Sequence, residues 1–161
     1  MKRSLQKLPG IRPWVAIPII AFGIALLAFA YLGIYSRYQA DDYCIAAYLR
    51  SMNLLEVQIY WYTHWSNSIM TNFFMSLIAF VGPKIVPFLP ALVILLWVIG
   101  TAWLLSFMFP APLRGTSILP AVMFVFFVIL EAPDRYQVLY WPSGMVPYML
   151  SLVSLTYLAG L

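Results

Sequence analysis

Long uncharged apolar runs alternate with short polar breaks along this chain. The first run, Trp14 to Ile34, is about as long as the ~20 residues a helix needs to cross a bilayer, and predicts a span over 14–35. Pro18 and Gly23 are tolerable there when neighbouring helices satisfy the freed backbone groups. A loop over 36–59 follows, and its mixed apolar and charged part, Ile45 to Glu56, reads as a helix lying on the membrane surface. A second span is predicted over 60–81. It enters through the aromatic collar Tyr60-Trp61-Tyr62-Thr63-His64-Trp65, since Tyr and Trp favour the headgroup boundary. Ser66, Asn67, Ser68, Thr71 and Asn72 make the first half of this span polar, and polar groups in a span face other helices or water. Gly82-Pro83-Lys84 breaks it. A third span is predicted over 85–109, a short fourth over 117–130, and a fifth over 145–161. Pro110–Gly115 and Glu131–Arg135 are the polar breaks between the later runs, and the last run is still apolar where the sequence stops. Native C-termini seldom fall there, so the chain is expected to be the N-terminal portion of a longer protein.

Composition turns this pattern into a class. The 161 residues are 64% hydrophobic and only 9% charged, against roughly 25% charged in soluble domains. Mean hydropathy is +0.91. A soluble core of this size cannot hide so much apolar surface, so lipid must be the solvent. The expected fold is all-α, a single polytopic transmembrane helical bundle of about five hydrophobic segments. Lys2, Arg3, Lys7 and Arg12 crowd before the first run, which places the N-terminus in the cytoplasm by the positive-inside rule. Ala28-Phe29-Ala30 resembles a signal-peptide cleavage site, but the apolar run continues beyond it and is long enough to span. The net charge of +4 forms no basic stripe, so no nucleic-acid partner is expected. Cys44 is the only cysteine, which excludes an intrachain disulfide, and it reads as a small buried apolar residue.

Two topologies fit these segments. If every one spans, Lys84 and Arg135 share the cytoplasmic side with the N-terminus, which suits the charge rule better. If Ile69–Val81 merely dips into the bilayer, Trp141–Gly144 falls on the same face as Asp41 and Asp42. Both schemes put Asp41 and Asp42 outside.

Those two aspartates are the chemical candidates. The chain has five acidic residues, and two stand side by side just after the first span. Adjacent carboxylates raise each other's pKa unless a cation offsets the repulsion. One placed at the membrane edge can act as a general base, bind a divalent cation or hold a substrate hydroxyl. In an extended loop neighbours point apart, which makes Asp41 the candidate base and Asp42 its support, the reverse remaining open. A solvated loop flank marking the membrane edge is the plain alternative. His64, Trp65 and Ser66 offer a proton shuttle, a flat apolar wall and a hydrogen-bonding hydroxyl, although an interface belt has the same composition. Glu131, Asp134 and Arg135 read as a charged turn, and Trp141-Pro142-Ser143-Gly144 with Tyr148 as an aromatic, turn-rich motif. No metal-ligand spacing, phosphate-gripping glycine loop, nucleophile elbow or dinucleotide fingerprint occurs.

Taken in order, Asp41-Asp42-Tyr43-Cys44, Trp65-Ser66-Asn67-Ser68 and Trp141-Pro142-Ser143-Gly144 with Tyr148 resemble the N-terminal part of GT-C superfamily glycosyltransferases. The likeness is to bacterial polytopic relatives with a DDYC … WSGR … W-x-[ST]-G-x-x-x-Y pattern. Asn67-Ser68 stands where those relatives have Gly-Arg, so the Arg that would pair with a lipid phosphate is missing. The resemblance implies a multi-pass protein of the bacterial cytoplasmic membrane that takes a sugar from a polyprenyl-phosphate donor. Asp41 or Asp42 would deprotonate or orient the acceptor hydroxyl, and Tyr43, His64, Trp65, Ser66, Trp141, Ser143 and Tyr148 would lie about the substrate. No cofactor is implied beyond the divalent cation an aspartate pair can hold. Two other classes fit the composition: a transport or flippase component, and a membrane subunit without chemistry. The first predicts carboxylates in mid-span, whereas those of this chain sit at span ends.

Overall fold

The computed structural model describes residues 13–65, 68–108 and 116–161, and every regular element among them is helical. Helix α1 runs Pro13–Leu32 and closes with a tight 3-10 turn, Gly33–Tyr35. Proline suits the first helical position, where its missing N–H has no intrahelical partner. Ile17, Ile20, Ile24, Leu27 and Tyr31 are exposed along one face, while Leu26 points into the core and Phe22, Phe29 and Ala30 pack against it. Trp14–Tyr35 and Pro83–Met108 are both long and apolar enough to cross a membrane. Only 11% of the first is buried within the protein, a surface that water would penalise and lipid would not.

The second of those stretches is a 3-10 segment, Pro83–Phe88, leading into α5, Leu89–Met108. Its start packs on the end of α1. A methyl group on Gly33 would stand 2.9 Å from the Pro87 carbonyl and 2.9 Å from Pro90 Cγ, so only glycine allows this approach. Helix α5 therefore returns antiparallel to α1. Helix α6, Ile118–Glu131, packs on both. After the short α7, Arg135–Leu139, one helical run continues from Pro142 to Leu158. It comprises α8, Pro142–Met145, a π-helical turn, Val146–Leu150, and α9, Ser151–Leu158. Tyr157 donates to the Leu96 carbonyl (2.9 Å) and Trp97 Nε1 to Thr156 Oγ1 (3.2 Å), locking α9 along α5. Val93, Trp97, Val125, Ile129, Met149 and Val153 fill the core of this bundle.

Between α1 and α5 the chain makes an excursion and returns to the same end. Helix α2 is Asp41–Tyr48, α3 is Leu54–His64 and α4 is Ile69–Val81. The expected span over 60–81 is thus two helices, not one. Gln58 of α3 donates to Ser76 Oγ (2.9 Å) and to the Asn72 carbonyl (3.2 Å) of α4, so the pair folds back on itself. At 1.5 Å per residue the 13 residues of α4 reach ~20 Å, short of the ~30 Å hydrocarbon core. The surface helix expected over Ile45–Glu56 is divided as well. Asn53 accepts from the Glu56 N–H (3.0 Å) and Glu56 from the Asn53 N–H (2.9 Å), a capping box that starts α3 there.

Pro83 lies at the end of the bundle where Tyr35 lies, since the Pro87 carbonyl meets Gly33 there. Lys84 therefore falls at the same end of α1 as the aspartates. Trp141–Gly144 is no turn: Pro142 opens α8 and brings Ser143 to Asp42.

Candidate functional site

The cleft at this end is built from α2 outward. Asp41 and Asp42 occupy the first turn of a helix rather than an extended loop, so their separation is helical. Asp42 turns inward and is buried at 1% exposure. Its Oδ2 accepts from the Gln39 N–H (2.8 Å), and its Oδ1 accepts from the Ser143 N–H (3.1 Å) and from Ser143 Oγ (2.5 Å). The Ser143 N–H belongs to the first turn of α8, which lacks intrahelical acceptors and carries the positive end of the helix dipole. One carboxylate thus closes the entry to α2 and caps a helix 101 residues away. Burial pushes the Asp42 carboxyl above the usual aspartate range. The bonds from Ser143 and Gln39 oppose that rise, and the neighbouring Asp41 charge adds to it. Tyr38 beside it is also raised, first by burial and then by the Asp42 charge.

Just before this turn, Ala40 has φ 37°, in the left-handed region that favours glycine. The Gln39–Asp42 bond bridges the strained residue and fixes the direction in which Asp41 leaves the backbone.

Asp41 is exposed and faces a cavity of about 460 Å³. His64, Trp65 and Ser143 line the same cavity, so four of the residues singled out in the sequence converge. Tyr48, Tyr60 and Trp61 supply most of its aromatic wall, with Ser68, Thr71 and Asn72 opposite. The Tyr48 and Tyr60 hydroxyls are 3.2 Å apart, and this bond is the main reason the Tyr48 phenol is raised. The His64 ring stacks on Tyr60, centroids 4.6 Å apart and planes at 14°. Thr63 Oγ1 donates to the Ile59 carbonyl (2.8 Å), and His64 Nδ1 lies 2.7 Å from Thr63 Oγ1 and 3.1 Å from the Tyr60 carbonyl. A carbonyl only accepts. A proton on Nδ1 would satisfy that carbonyl and leave Nε2 facing away from it.

The other singled-out residues lie elsewhere. Tyr43 is on the opposite face of α2, lining a different cleft. Tyr148 lines an apolar hollow beside Glu131 and Phe124. Trp141 is half-buried and its indole N–H has no partner among the described residues. Ser66 and Asn67 lie outside the described residues. Asp134 caps α7 by accepting from the Gln137 N–H (3.0 Å), a structural task. Cys44, expected in the core, is exposed on the cavity rim. Cys44, Ile45 and Tyr48 are among the lining residues not predicted from the sequence, as are Tyr60, Trp61 and Met75, and the signal for the first three is the helical series 41, 44, 45, 48 on one face of α2. Among the described residues, no three His, Cys, Asp or Glu side chains converge as a metal site.

The arrangement can stack a flat apolar ring face, bond hydroxyls, and receive a proton at Asp41 or His64. No protein-family model, curated protein or solved structure matches the chain. Fold and site together define a helical protein with two membrane-length helices and an aromatic, carboxylate-bearing cleft at one end of them.

Proposed function

We propose that the chain is a multi-pass protein of a bacterial cytoplasmic membrane that transfers a sugar from a polyprenyl-phosphate donor in a GT-C-like reaction. The observation that carries this reading is the cleft itself, where an exposed carboxylate faces an aromatic wall at the end of a membrane-length helix. Pyranose rings offer apolar faces edged with hydroxyls, which suits Trp61, Tyr60 and Tyr48 flanked by Asn72, Ser68 and Ser143. The lipid donor reaches this site by lateral diffusion, and the acceptor reaches it from the water side.

Asp41 takes the proton of the acceptor hydroxyl as its oxygen bonds to the anomeric carbon. The bond from that carbon to the phosphate oxygen breaks, and polyprenyl phosphate leaves with the electron pair. Asp42 is a positioning residue that aims Asp41 through the Gln39 and Ser143 bonds. Proximity supplies much of such a rate, up to ~7–11 kcal/mol in well-oriented cases. The acceptor is a cell-envelope glycan, lipid or protein. With the N-terminus in the cytoplasm, the cleft opens on the outer side.

The test is sugar transfer in membranes carrying the full-length protein, with polyprenyl-phosphate sugars as donors. Asp41→Asn should cut turnover by about 10²–10⁴-fold while leaving the fold intact. Unchanged turnover in that variant ends the assignment.

A further inference from the structure

Helix α2 divides two clefts of opposite character. Asp41, Cys44, Ile45 and Tyr48 face the carboxylate cleft. Tyr43, Ala46, Ala47 and Arg50 face the other, offset by the same helical spacing. This second cleft, about 730 Å³, lies between α2 and the end of α4, and Arg37 completes its basic lining. No carboxylate lines it, so nothing within it neutralises the two guanidinium groups.

Its depth is set by the bundle. Arg37 stands two residues beyond the membrane-length stretch that ends at Tyr35, and Pro83, where the next such stretch begins, also lines the cleft. Both membrane-length helices meet water at this level. Phe80, 75% exposed, and Tyr43, 61% exposed, flank the cations with apolar surface. Arg37 is held ready. Its Nη1 donates to the Ile34 and Ser36 carbonyls, both at 2.6 Å, which leaves the Nε and Nη2 edge of the fork for a ligand. That edge matches two oxygens of a phosphodiester.

We infer that this cleft binds the phosphodiester headgroup of an anionic membrane lipid, with Arg37 and Arg50 on the phosphate and Phe80 and Tyr43 against the upper acyl chains. The chemistry selects a lipid over free phosphate because cations and exposed aromatic surface occur together at headgroup depth. Bound lipid would brace α2 from behind, against the face that carries Asp41. The inference rests on the membrane placement of α1 and α5 and is independent of the chemistry assigned to Asp41.

Native mass spectrometry of the full chain, released from detergent with equimolar dioleoyl phosphatidylglycerol and dioleoyl phosphatidylcholine, tests it. The unaltered protein should retain the anionic lipid in about 25-fold excess, about fivefold from each of the two arginines. Arg50→Gln touches no other bond and should lower that preference about fivefold, while Arg50→Lys keeps most of it. The Arg37→Gln, Arg50→Gln pair should retain both lipids equally. Excess inorganic phosphate should leave the lipid adduct in place. Equal retention by the unaltered protein, an undiminished preference in Arg50→Gln, or displacement by inorganic phosphate would each overturn the assignment.

Discussion

The bond set around Asp42 makes the sharpest prediction. Ser143→Ala removes one donor, the hydroxyl, and leaves the backbone N–H bond to Oδ1 in place. A hydrogen bond to a charged acceptor is worth ~1.5–3 kcal/mol, so the loss should fall in that range. Asp42→Ala removes the acceptor for three donors at a site of 1% exposure, and leaves the Ser143 and Gln39 groups without a partner. Breaking a buried charged set costs ~3–5 kcal/mol, and relief from burying the carboxylate brings the expectation to the lower end. Asp42→Asn keeps an oxygen for Ser143 but turns an N–H₂ toward the Gln39 N–H, and should cost ~1–2 kcal/mol. The assay is reversible unfolding of the full chain in mixed micelles, followed by tryptophan fluorescence, for Ser143→Ala, Asp42→Ala and the double variant. Because the two side chains share a bond, the double variant should lose less than the two single losses combined, by ~1–3 kcal/mol. A discrepancy below ~0.5 kcal/mol would mean that α2 and α8 are not joined here, and the geometry argued for Asp41 would lose its support.

Other consequences follow from the same residues. The folded-state pKa of Asp42 lies above its unfolded value near 3.8, so the folded protein holds more protons between the two. Stability from this site is therefore complete below 3.8 and declines as pH rises through the folded value, a slope that Asp42→Asn should erase in micelle unfolding curves. Ala40→Gly should relieve the φ of 37° and gain up to ~1 kcal/mol in the same unfolding assay, while freeing Asp41 and lowering transfer rate. Gly144→Ala should destabilise by more than ~1 kcal/mol, since a methyl group there collides with the Gln137 carbonyl, and thermal unfolding would register it. Asp41→Asn should leave thermal unfolding within ~0.5 kcal/mol of the parent, because its side chain is exposed, yet cut transfer by about 10²–10⁴-fold.

The membrane-length helices were legible because an uncharged run of that length has few other uses. Stretch 60–81 misled because its length alone satisfied the spanning criterion. The polar residues Ser68, Thr71 and Asn72 were visible, yet polarity inside a span has two meanings, a buried helix contact or a helix that never crosses, and sequence cannot choose between them. The Asn53–Glu56 capping pair is a local signal for a new helix, masked by the mixed apolar and charged pattern that runs through it. Asp42 was placed beside the chemistry, but its bond to Ser143 depends on α6 and α7 returning the chain to the same end. Tyr43 and Tyr148 were grouped with their motif neighbours as though linear proximity were spatial. Helical phase sends Tyr43 behind α2 and Tyr148 away from Ser143.

Apolar burial and directional bonds share the task of holding the cleft, and Ile45, Val57, Trp61, Met75 and Val146 pack beneath it as a core of their own. Between helices in lipid the hydrophobic effect offers little discrimination, since the surrounding acyl chains are as apolar as leucine. The long faces of α1 and α5 therefore tolerate many relative placements. What selects one are close approaches at small residues, such as Gly33 on Pro87 and Gly100 on Tyr157, and directional bonds at the aspartate end. Tyr140 donates to the Phe29 carbonyl (3.0 Å), Asp42 receives Ser143, and Gln58 reaches Ser76. Each joins a different pair of elements around the excursion formed by α2, α3 and α4. The position of the candidate base therefore depends on that core and on these bonds together, and polar substitutions beneath the cleft should disturb its chemistry more than larger apolar changes on the exposed face of α1.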